Sequence, residues 1–500
     1  MVPILSPVLL TPDEMGEVDR SMVEQGTPIV DLMRRAGDAV VRRVPAAGRV
    51  AILAGPGNNG GDGFATGVLL RKAGRDVDVF ALGGNLTSEA TQTMKAEWGE
   101  CRLLEGFDPT GFEIVVDGLF GAGLSRDIDG AARRAIERAN ESRSFKLAID
   151  IASGIDGATG QVHGVAVRAD RTVTFERRKP GHLLLPGRIH CGEVIVEAIG
   201  IPSDLLDERH SATFANEPAL WLDALPPLMD THHKYDRGHV GVFSGGATQT
   251  GAGRLAAMAA LRGGAGLVTV LARSSALMVN AAHLTAIMLK RCETGDDLAA
   301  LLGDARMSTF ILGPGYGVGE RAREISLAIL AAGRSLVLDA DGITSFADRP
   351  DALFEQLRER DGRGVLTPHA GEFGRLFPDL LELIGTDRLT AARNAAQRSG
   401  ATIVLKGADT VIASPDGRAA INATGTAALA TAGSGDVLAG LIAAQLATGV
   451  PPFEAASVAT WIHGRAGAAF GVGLIAEDLP HLVPQALADL ALQAAARNQR

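Results

Sequence analysis

Short apolar runs alternate along the chain with longer segments in which apolar residues recur every three or four positions. In the first half these runs cover residues 50–53, 77–80, 114–117 and 147–150, and the last two end in aspartate. Such runs are typical of buried parallel strands whose carboxyl ends carry functional groups. The pattern predicts a Rossmann-like, doubly wound α/β sheet, preceded by helices within residues 11–44.

A second strand–helix series occupies the other half of the chain. Its apolar runs cover residues 240–243, 267–270, 310–312, 336–339, 365–367, 403–405 and 411–412. Between the two series, residues 203–235 mix charges, prolines and histidines and show weaker periodicity. We therefore predict two α/β domains, at residues 1–213 and 236–495, joined by a linker at residues 214–235.

The composition agrees with two α/β domains and argues against several classes of function. Apolar residues make up 46% of the 500 residues and aromatic residues only 4%, while 62 glycines suit tight loops between parallel strands. The net charge of −10 argues against nucleic acid and membrane partners, although an anionic substrate is compatible with it. The most apolar stretch, residues 255–272, is interrupted by Arg262 and by glycines, which predicts a core helix and strand rather than a membrane span.

The cysteines and the N-terminus bear on the compartment. Cys101, Cys191 and Cys292 are isolated and have no CxxC spacing, which predicts a reducing cytoplasmic location without a disulfide framework or a zinc site. The first residues lack a basic segment, so we expect no signal peptide.

A glycine-rich loop at residues 55–63 follows the first predicted strand and opens a helix. Its spacing is not GxGxxG, which disfavours an ordinary dinucleotide dehydrogenase. Asn58 and Asn59 offer amide donors and acceptors, and Asp62 can accept from ribose hydroxyls or act on a proton. The loop is therefore a candidate nucleotide or substrate site.

Two further loops follow strands at the same predicted sheet edge, at residues 117–127 and 150–156. Asn59, Asp117 and Ser153 together offer hard oxygens to a cation, with alkali metals as candidates. Asp150 is a candidate general base or acid at the reacting carbon. The structural alternative is that these aspartates cap helices or brace loops.

Residues 10–213 resemble the epimerase domain of the NAD(P)H-hydrate repair family, through Leu-Met-Arg-Arg-Ala-Gly, Gly-Pro-Gly-Asn-Asn-Gly-Gly-Asp-Gly and Val-Asp-Gly-Leu-Phe-Gly-Ala-Gly-Leu. The resemblance implies K⁺ at Asn59, Asp117 and Ser153. It implies substrate contacts at Asn58, Asn59, Gly60, Gly61, Asp62, Gly121, Ala122, Gly123, Leu124, Ser125, Arg126, Asp127 and Asp150. Ala152 stands where the family usually has proline, so we expect a looser loop before Ser153.

In the second half, the Gly/Ala/Thr-rich segment 422–435 runs directly into Asp436 and the apolar residues 437–444. Converging amides and the positive end of the following helix predict an anion hole. A carboxylate at its mouth predicts a base that deprotonates a substrate hydroxyl. The alternative is that Asp436 is only an N-cap.

Other strand ends of this half also carry candidate chemistry. His369 and Glu372 follow the strand at 365–367, although a lone histidine is as often structural. Lys406 directly follows the strand at 403–405, and a phosphate is the partner we expect for it. Gly315 leaves a bare backbone after the strand at 310–312.

Residues 225–495 resemble the ribokinase-like, ADP-dependent NAD(P)H-hydrate dehydratase domain, through Leu-Thr-Pro-His-Ala-Gly-Glu, Val-Leu-Lys-Gly-Ala-Asp-Thr and Ala-Gly-Ser-Gly-Asp-Val-Leu-Ala-Gly. The resemblance implies an adenine nucleotide on Lys406, Gly407, Ala408, Asp409, Thr410 and Gly435. It implies a hydrate site at Ala252, Gly315, His369 and Asp436.

Taken together, the two resemblances imply a bifunctional nicotinamide cofactor repair enzyme. One domain would interconvert the (6R) and (6S) hydrates of NAD(P)H with Asp150. The other would dehydrate the S epimer with Asp436, converting ADP to AMP and phosphate in the presence of Mg²⁺. A homo-oligomer is expected. The alternative is a hydroxymethylpyrimidine- or hydroxyethylthiazole-type kinase fused to a Rossmann-like binding scaffold.

Overall fold

The computed structural model describes residues 6–207, 211–227, 229, 231, 233–359 and 363–498. The chain divides into two compact units. Residues 8–213 form the first, and the second contains the described residues of 1–7 and 214–500.

The first unit contains a seven-stranded sheet in the order β3-β2-β1-β4-β5-β6-β7, with every pair parallel. The strands are β1 (Val50–Ala54), β2 (Val77–Ala81), β3 (Arg102–Leu103), β4 (Ile114–Gly118), β5 (Phe145–Ile149), β6 (Arg171–Phe175) and β7 (Glu193–Glu197). This order reverses direction between β1 and β4, as in doubly wound nucleotide-binding sheets. The predicted Rossmann-like fold is confirmed.

The helices that accompany this sheet in the described residues are α1 (Pro12–Glu24), α2 (Ile29–Val41), α3 (Asn58–Lys72), α4 (Glu89–Trp98), α5 (Gly130–Glu141), α6 (Gly187–Cys191) and α7 (Ser203–Asp207). Alternate residues of β1 face two separate apolar layers, with Ile52 in one and Leu53 in the other. Because both faces are covered, the strand is continuously apolar rather than alternating. Helix α1 begins at a capping box formed by Thr11 and Glu14.

The second unit contains a ten-stranded sheet in the order β11-β10-β9-β12-β13-β14-β15-β16-β17-β8. Its strands are β8 (Thr213–Ala215), β9 (His239–Phe243), β10 (Leu267–Ala272), β11 (Met288–Arg291), β12 (Met307–Leu312), β13 (Ser335–Leu338), β14 (Gly364–Leu366), β15 (Thr402–Leu405), β16 (Val411–Ala413) and β17 (Ala419–Ile421). The pairs from β11 to β15 are parallel, and β16 is antiparallel to both neighbours. The predicted α/β class is confirmed for this unit too.

The helices of this unit are α8 (Pro218–Trp221), α9 (Gly251–Arg262), α10 (Ser274–His283), α11 (Gly295–Leu302), α12 (Glu320–Ala331), α13 (Asp341–Thr344), α14 (Pro350–Glu359), α15 (Ala370–Leu376), α16 (Leu383–Thr386), α17 (Arg388–Ser399), α18 (Ser434–Ala447), α19 (Pro452–Phe470) and α20 (Leu479–Asn498). Helix α18 is the apolar helix predicted after Asp436. It packs closely on α9, because a methyl group on Gly440 would lie 2.3 Å from the Ala256 carbonyl oxygen.

Two sequence expectations are refined here. The segment 214–235, expected to be a linker, contains most of β8 and all of α8, and its buried Asn216 bonds to Asn422 and to the Ser457 carbonyl. This segment therefore contributes to the core of the second unit. Residues 255–272 form most of α9 and β10, as predicted. Within the described residues, no helix is both long enough and apolar enough to span a membrane.

Candidate active sites

A cavity of about 630 Å³ lies at the carboxyl edge of the first sheet. It is formed by one face of α1, by α2, by the start of α3 and by the loops after β4 and β5. The sequence-predicted residues that line it are Asn58, Asn59, Asp62, Gly121, Ala122, Gly123, Leu124, Arg126 and Asp150. This is the position where doubly wound sheets bind their ligands.

Asp150 is the most constrained residue of this cavity. Its φ of 66° lies in the left-handed region, where non-glycine residues are strained and are often found at functional sites. Its Oδ1 accepts hydrogen bonds from the Lys179 ammonium and from the Thr174 hydroxyl, 3.2 Å away. Its backbone carbonyl lies 2.9 Å from His182 Nε2. These contacts fix the direction in which the carboxylate points.

The electrostatics keep Asp150 ionised. Burial alone would raise the pKa of this carboxyl, but the adjacent Lys179 outweighs burial, and the pKa is lowered from its usual range. The pKa of His182 falls to about 3 because of its burial and because of Lys179, so this imidazole is neutral. Asp150 is therefore a carboxylate at neutral pH.

Two other carboxyls of the cavity behave in the opposite way. Burial and the charge of Asp150 raise the pKa of Asp62 well above its usual value. Burial raises the pKa of Asp19, on α1, to about 6, and the charge of Lys179 opposes this rise. One cavity therefore contains both an ionised carboxylate and carboxyls that hold protons close to neutral pH.

Asp117 and Ser153 lie buried close to Asn59 and the cavity loops. The Ser153 amide donates to Asp117 Oδ2 at 2.8 Å, and the Ser153 hydroxyl donates to Asp117 Oδ1 at 2.6 Å. The Phe120 amide donates to the same hydroxyl at 2.8 Å. These hydrogen bonds position Ser153 where Ala152 stands in place of the family's proline, and the looser loop expected there stays a prediction.

In the buried group of Asn59, Asp117 and Ser153, some polar atoms have no hydrogen-bond partner among the described residues and the carboxyl has a raised pKa. Burial raises the pKa of Asp117 to about 6 despite its hydrogen bonds to Ser153. The side-chain oxygen and nitrogen of Asn59 are both buried and, among the described residues, have no hydrogen-bond partner. Orphaned buried polar atoms are rare in folded proteins and call for an explanation.

Four predicted contact residues of this unit do not line the cavity. Ser125 and Asp127 are exposed on the outer part of their loop. Gly60 and Gly61 are packing positions, because a methyl group would lie 1.9 Å from the Gly55 carbonyl oxygen or 2.7 Å from Met33 Sδ. The absence of a side chain there allows α3 to start close to β1, whereas the flanking Asn59 and Asp62 face the cavity.

The second candidate site surrounds the start of α18. Gly433, with a φ of 88°, is the N-cap residue, and Asp436 lies three residues later, in the first turn of the helix. The N-cap alternative for Asp436 is therefore wrong. Burial and the neighbouring charge of Asp339 raise its pKa to about 7, although Lys406 lowers it. Beneath this turn, His463 Nε2 lies 3.0 Å from the Ser434 carbonyl oxygen.

Lys406 joins three carboxylates near this turn. Its Nζ lies 2.7 Å from Asp339 Oδ1 and 3.7 Å from Glu372 Oε2, and Asp436 contributes to its raised pKa. A methyl group on Gly435 would lie 3.4 Å from the same Nζ. The protein partner of this ammonium is thus a carboxylate, where the sequence suggested a phosphate.

The predicted nucleotide-binding turn after β15 is closed by its own side chains. The Thr410 hydroxyl donates to the Gly407 carbonyl at 2.8 Å, and Arg388 donates to the Lys406 carbonyl at 2.7 Å. Asp409 is buried 3.5 Å from Arg388 Nε. Gly407 and Ala408 are exposed, so they are the members of this turn that a ligand can reach directly.

The remaining predicted residues of this unit are Ala252, Gly315 and His369. A methyl group on Gly315 would lie 3.7 Å from the Ala252 side chain. Gly313 packs so closely on the Asp339 carbonyl oxygen that a methyl group would lie 1.7 Å from it. His369 caps α15, with its Nδ1 accepting the Gly371 and Glu372 amides at 3.0 and 3.3 Å, and its side chain is largely exposed.

Sequence reasoning missed several residues of both sites: Asp19, Thr174, Lys179, His182, Asp339 and Arg388. Lys179 follows Arg177 and Arg178, so the sequence there resembles a solvated basic run. Asp339 was visible as the last residue of an apolar run, which was the available signal. Within the described residues, no group of three or more histidine, cysteine, aspartate or glutamate side chains is arranged to hold a metal ion.

Comparisons with known proteins agree with two functional units. Residues 240–486 match the family model described as NAD(P)H-hydrate dehydratase, and residues 29–181 match the one described as the YjeF-related protein N-terminus. The bifunctional NAD(P)H-hydrate repair enzyme Nnr of Thermofilum pendens is 37% identical over 91% of this chain and 90% of its own length. The Escherichia coli protein of that name is 34% identical over 91% of this chain and 88% of its own.

A solved structure also aligns with part of the chain. It is an ADP/ATP-dependent NAD(P)H-hydrate dehydratase from Bacillus subtilis, co-crystallized with ATP/Mg²⁺. It is 28% identical, covers 53% of this chain and 94% of its own, and has a TM-score of 0.47.

Proposed function

The chain belongs to the family of bifunctional NAD(P)H-hydrate repair enzymes, and from this premise we propose how its two sites share the repair of the hydrated cofactor. The protein is an NAD(P)H-hydrate epimerase and dehydratase. Its substrates are NAD(P)H hydrate and an adenine nucleotide. We infer that the second unit performs the dehydration and the first unit the epimerisation.

In the second unit, Asp436 removes the proton of the C6 hydroxyl of the S hydrate. The hydroxyl oxygen then attacks the terminal phosphoryl group of ADP, so that AMP leaves and the C6 oxygen becomes a phosphate ester. Elimination then breaks the C6–O bond and one C5–H bond, so that phosphate and a proton leave, the C5–C6 double bond forms and NAD(P)H is regenerated. The observation that carries this assignment is a carboxyl of pKa about 7 in the first turn of α18, where the helix dipole favours a phosphate.

The surroundings of Asp436 suit a transferring phosphoryl group. The amides of residues 433–435 at the start of α18 stabilise its developing charge, and the Lys406 ammonium adds a positive charge beside Gly435. Gly407 and Ala408 contact the nucleotide, while Asp409 and Thr410 hold the turn from inside. Ala252, Gly315 and His369 border the hydrate.

The residues of this site fit Mg²⁺ delivered with the nucleotide. Asp339, Glu372 and Asp436 outnumber the single ammonium of Lys406, so phosphates entering here need an additional cation. The described part of the chain offers no cage of metal-binding side chains, and Mg²⁺ is commonly bound through one or two carboxylates plus substrate phosphates. When bound, Mg²⁺ neutralises charge on the phosphate oxygens.

In the first unit, the Asp150 carboxylate acts as the base at the C6 centre of the hydrate. Lys179 and Thr174 orient it and keep it ionised. The Gly121–Leu124 loop and Asn58 border the same cavity and contact the substrate. The positive φ of Asp150 is strain that the lysine, threonine and histidine contacts maintain.

Asn59, Asp117 and Ser153 fit a K⁺ ion. The orphaned amide of Asn59 gains a partner if its oxygen binds the cation, and the buried charge of Asp117 is compensated. When bound, K⁺ supplies a fixed positive charge beside the substrate loop. A cytoplasmic location and a homo-oligomer stay predictions, which fractionation and light scattering test.

The assignment is tested by supplying purified protein with S-NADH hydrate and ADP and following the absorbance of regenerated NADH. We expect one AMP and one free phosphate per NADH. Asp436→Ala abolishes this reaction while the interconversion of R and S hydrates continues. A stable phosphorylated product would instead identify a kinase. Loss of both activities in the variant would contradict separate sites.

A further inference from the structure

Helix α1 contributes the carboxyl of Asp19 to the epimerase cavity, in addition to the groups that the loops after the strands supply. Pro12, Met15, Gly16 and Asp19 lie on one face of the helix, at spacings of three and four residues, and all four line the cavity. The match to the N-terminal family model begins at residue 29, after this helix has ended. Asp19 is therefore a cavity residue that lies before the segment matched by that family model, although within the residues 10–213 that resemble the epimerase domain.

Asp19 and Asp62 stand apart from the paired charges of the same cavity. Asp150 is bonded to Lys179 and Thr174, whereas in the described part of the chain no hydrogen bond or ion pair engages the carboxyl of Asp19 or of Asp62. Two unpaired carboxyls within reach of a third carboxylate favour the neutral form. Burial correspondingly raises the pKa of both, to about 6 for Asp19.

Inversion at C6 needs an acid and a base in one cavity. When the C6–O bond breaks, its electron pair leaves with the oxygen, and a proton from the enzyme turns the departing group into water. The N1 lone pair meanwhile forms a C6–N1 double bond. Water adding to the other face re-forms C6–O and gives its proton to a carboxylate, so that substrate composition is unchanged. The two proton transfers occur at different oxygens.

We propose that Asp19 is a further catalytic residue of the epimerase site, the acid that protonates the departing C6 oxygen while Asp150 accepts the proton of the incoming water. The proposal rests on the proposed role of Asp150. Asp62 retains its proton beside Asp19 and donates a hydrogen bond to the substrate. Helix α1 thus supplies the acid, and the loop after β5 supplies the base.

The test compares Asp19→Asn with Asp13→Asn, an exposed aspartate of the same helix. Interconversion of R and S hydrate is followed by chromatography without nucleotide, after subtraction of the uncatalysed rate. We expect Asp19→Asn to lower the enzymatic rate at least about 100-fold. Asp13→Asn should epimerise like the unmodified protein, and ADP-dependent dehydration of S hydrate should be unchanged in both variants.

A pH profile separates an acid from a structural residue. The charged groups that act on Asp19 are Lys179 and Asp150, and Asp62 of α3 interacts with it in turn; Arg126 on the β4 loop lines the same cavity, where the lining residues of α2 are apolar. Because the acid form of Asp19 is lost as pH rises through about 6, kcat/KM of epimerisation should fall over that range. This fall in kcat/KM should disappear in Asp19→Asn and persist in Asp19→Glu.

The outcomes distinguish the inference from the function. Asp19 is not the acid if Asp19→Asn epimerises at the rate of the unmodified protein, or if it is slow but its kcat/KM still falls as pH rises through about 6. In either case the role of Asp150 still stands. If the unmodified protein does not exceed the uncatalysed rate, both assignments fail. The asparagine variant should keep its thermal midpoint, because within the described residues the Asp19 carboxyl makes no hydrogen bond or ion pair that the substitution would break.

Discussion

Asp339 and Lys406 should move the titration of the catalytic base in opposite directions. The charge of Asp339 raises the pKa of Asp436 and that of Lys406 lowers it. Asp339→Asn removes the repulsion, so the base should ionise at lower pH. Lys406→Met removes the attraction, so it should ionise at higher pH. The same buried carboxyl thus reports both neighbours.

The expected displacement follows from the geometry of the cluster. A unit charge within a few ångströms changes a pKa by about 1–3 units. Because Asp436 is partly exposed and each substitution also frees the other partner, we take the lower end, about one unit. A displacement of one unit is a tenfold change in the proton concentration at half-maximal activity.

The assay is kcat/KM for S hydrate at saturating ADP between about pH 5 and 9, followed through regenerated NADH. The unmodified enzyme should gain activity as pH rises, because Asp436 acts as a carboxylate. The phosphates of bound ADP affect the pKa of Asp436 alike in every variant. The difference in this pKa between two variants therefore still measures the contribution of the substituted residue. Asp379→Asn, which removes an exposed aspartate of the same unit, should leave the pH at half-maximal kcat/KM unchanged. If the pH at half-maximal kcat/KM is the same in all variants, or shifts in the same direction in Asp339→Asn and Lys406→Met, the inferred effect of these two charges on Asp436 is refuted.

Four further predictions concern other residues of the two sites. Lys179→Met leaves Asp150 without its ammonium and should cost about 3–5 kcal/mol in thermal or urea unfolding, with epimerisation lost and dehydration kept; unchanged stability would contradict the buried pair. KCl should raise the thermal midpoint more than LiCl does, and Asp117→Asn should remove that difference; equal responses would argue against the ion site. Without K⁺, the raised pKa of Asp117 means that unfolding free energy falls by roughly 3 kcal/mol as pH rises from about 4 to about 6, a slope absent from Asp117→Asn. His463→Phe removes the contact beneath α18 and should slow dehydration about tenfold without affecting epimerisation, and an unchanged rate would show that the contact is dispensable.

Much of the fold could be predicted because buried parallel strands leave a strong signal. The apolar runs at residues 50–53 and 114–117 became β1 and β4, whose faces are both covered. Sheet topology then brought Asn59, Asp117 and Ser153 together, because strand ends of a parallel sheet share one edge. Short segments were harder, since β8 is recognisable only through its pairing at the edge of the second sheet.

The parts of the sites that escaped prediction depend on contacts between distant segments. Lys179 looks solvated in the sequence and is buried only because β6 delivers it to Asp150. Gly60 and Gly61 look like ligand-binding glycines in the sequence, and the structure adds a packing reason for both, close approach to Gly55 and Met33, while their predicted substrate contacts stay predictions. The N-cap alternative for Asp436 required α18 to begin at residue 437, whereas the left-handed Gly433, three residues before Asp436, is the N-cap.

The location of the nucleotide tests the central claim most directly. A crystal structure of the protein with ADP and Mg²⁺ should place the terminal phosphate at the amides of residues 433–435. One Asp436 oxygen should lie within hydrogen-bonding distance of the position where the C6 hydroxyl attacks. Phosphates bound away from the start of α18, or an Asp436 carboxyl turned away from them, would contradict the account.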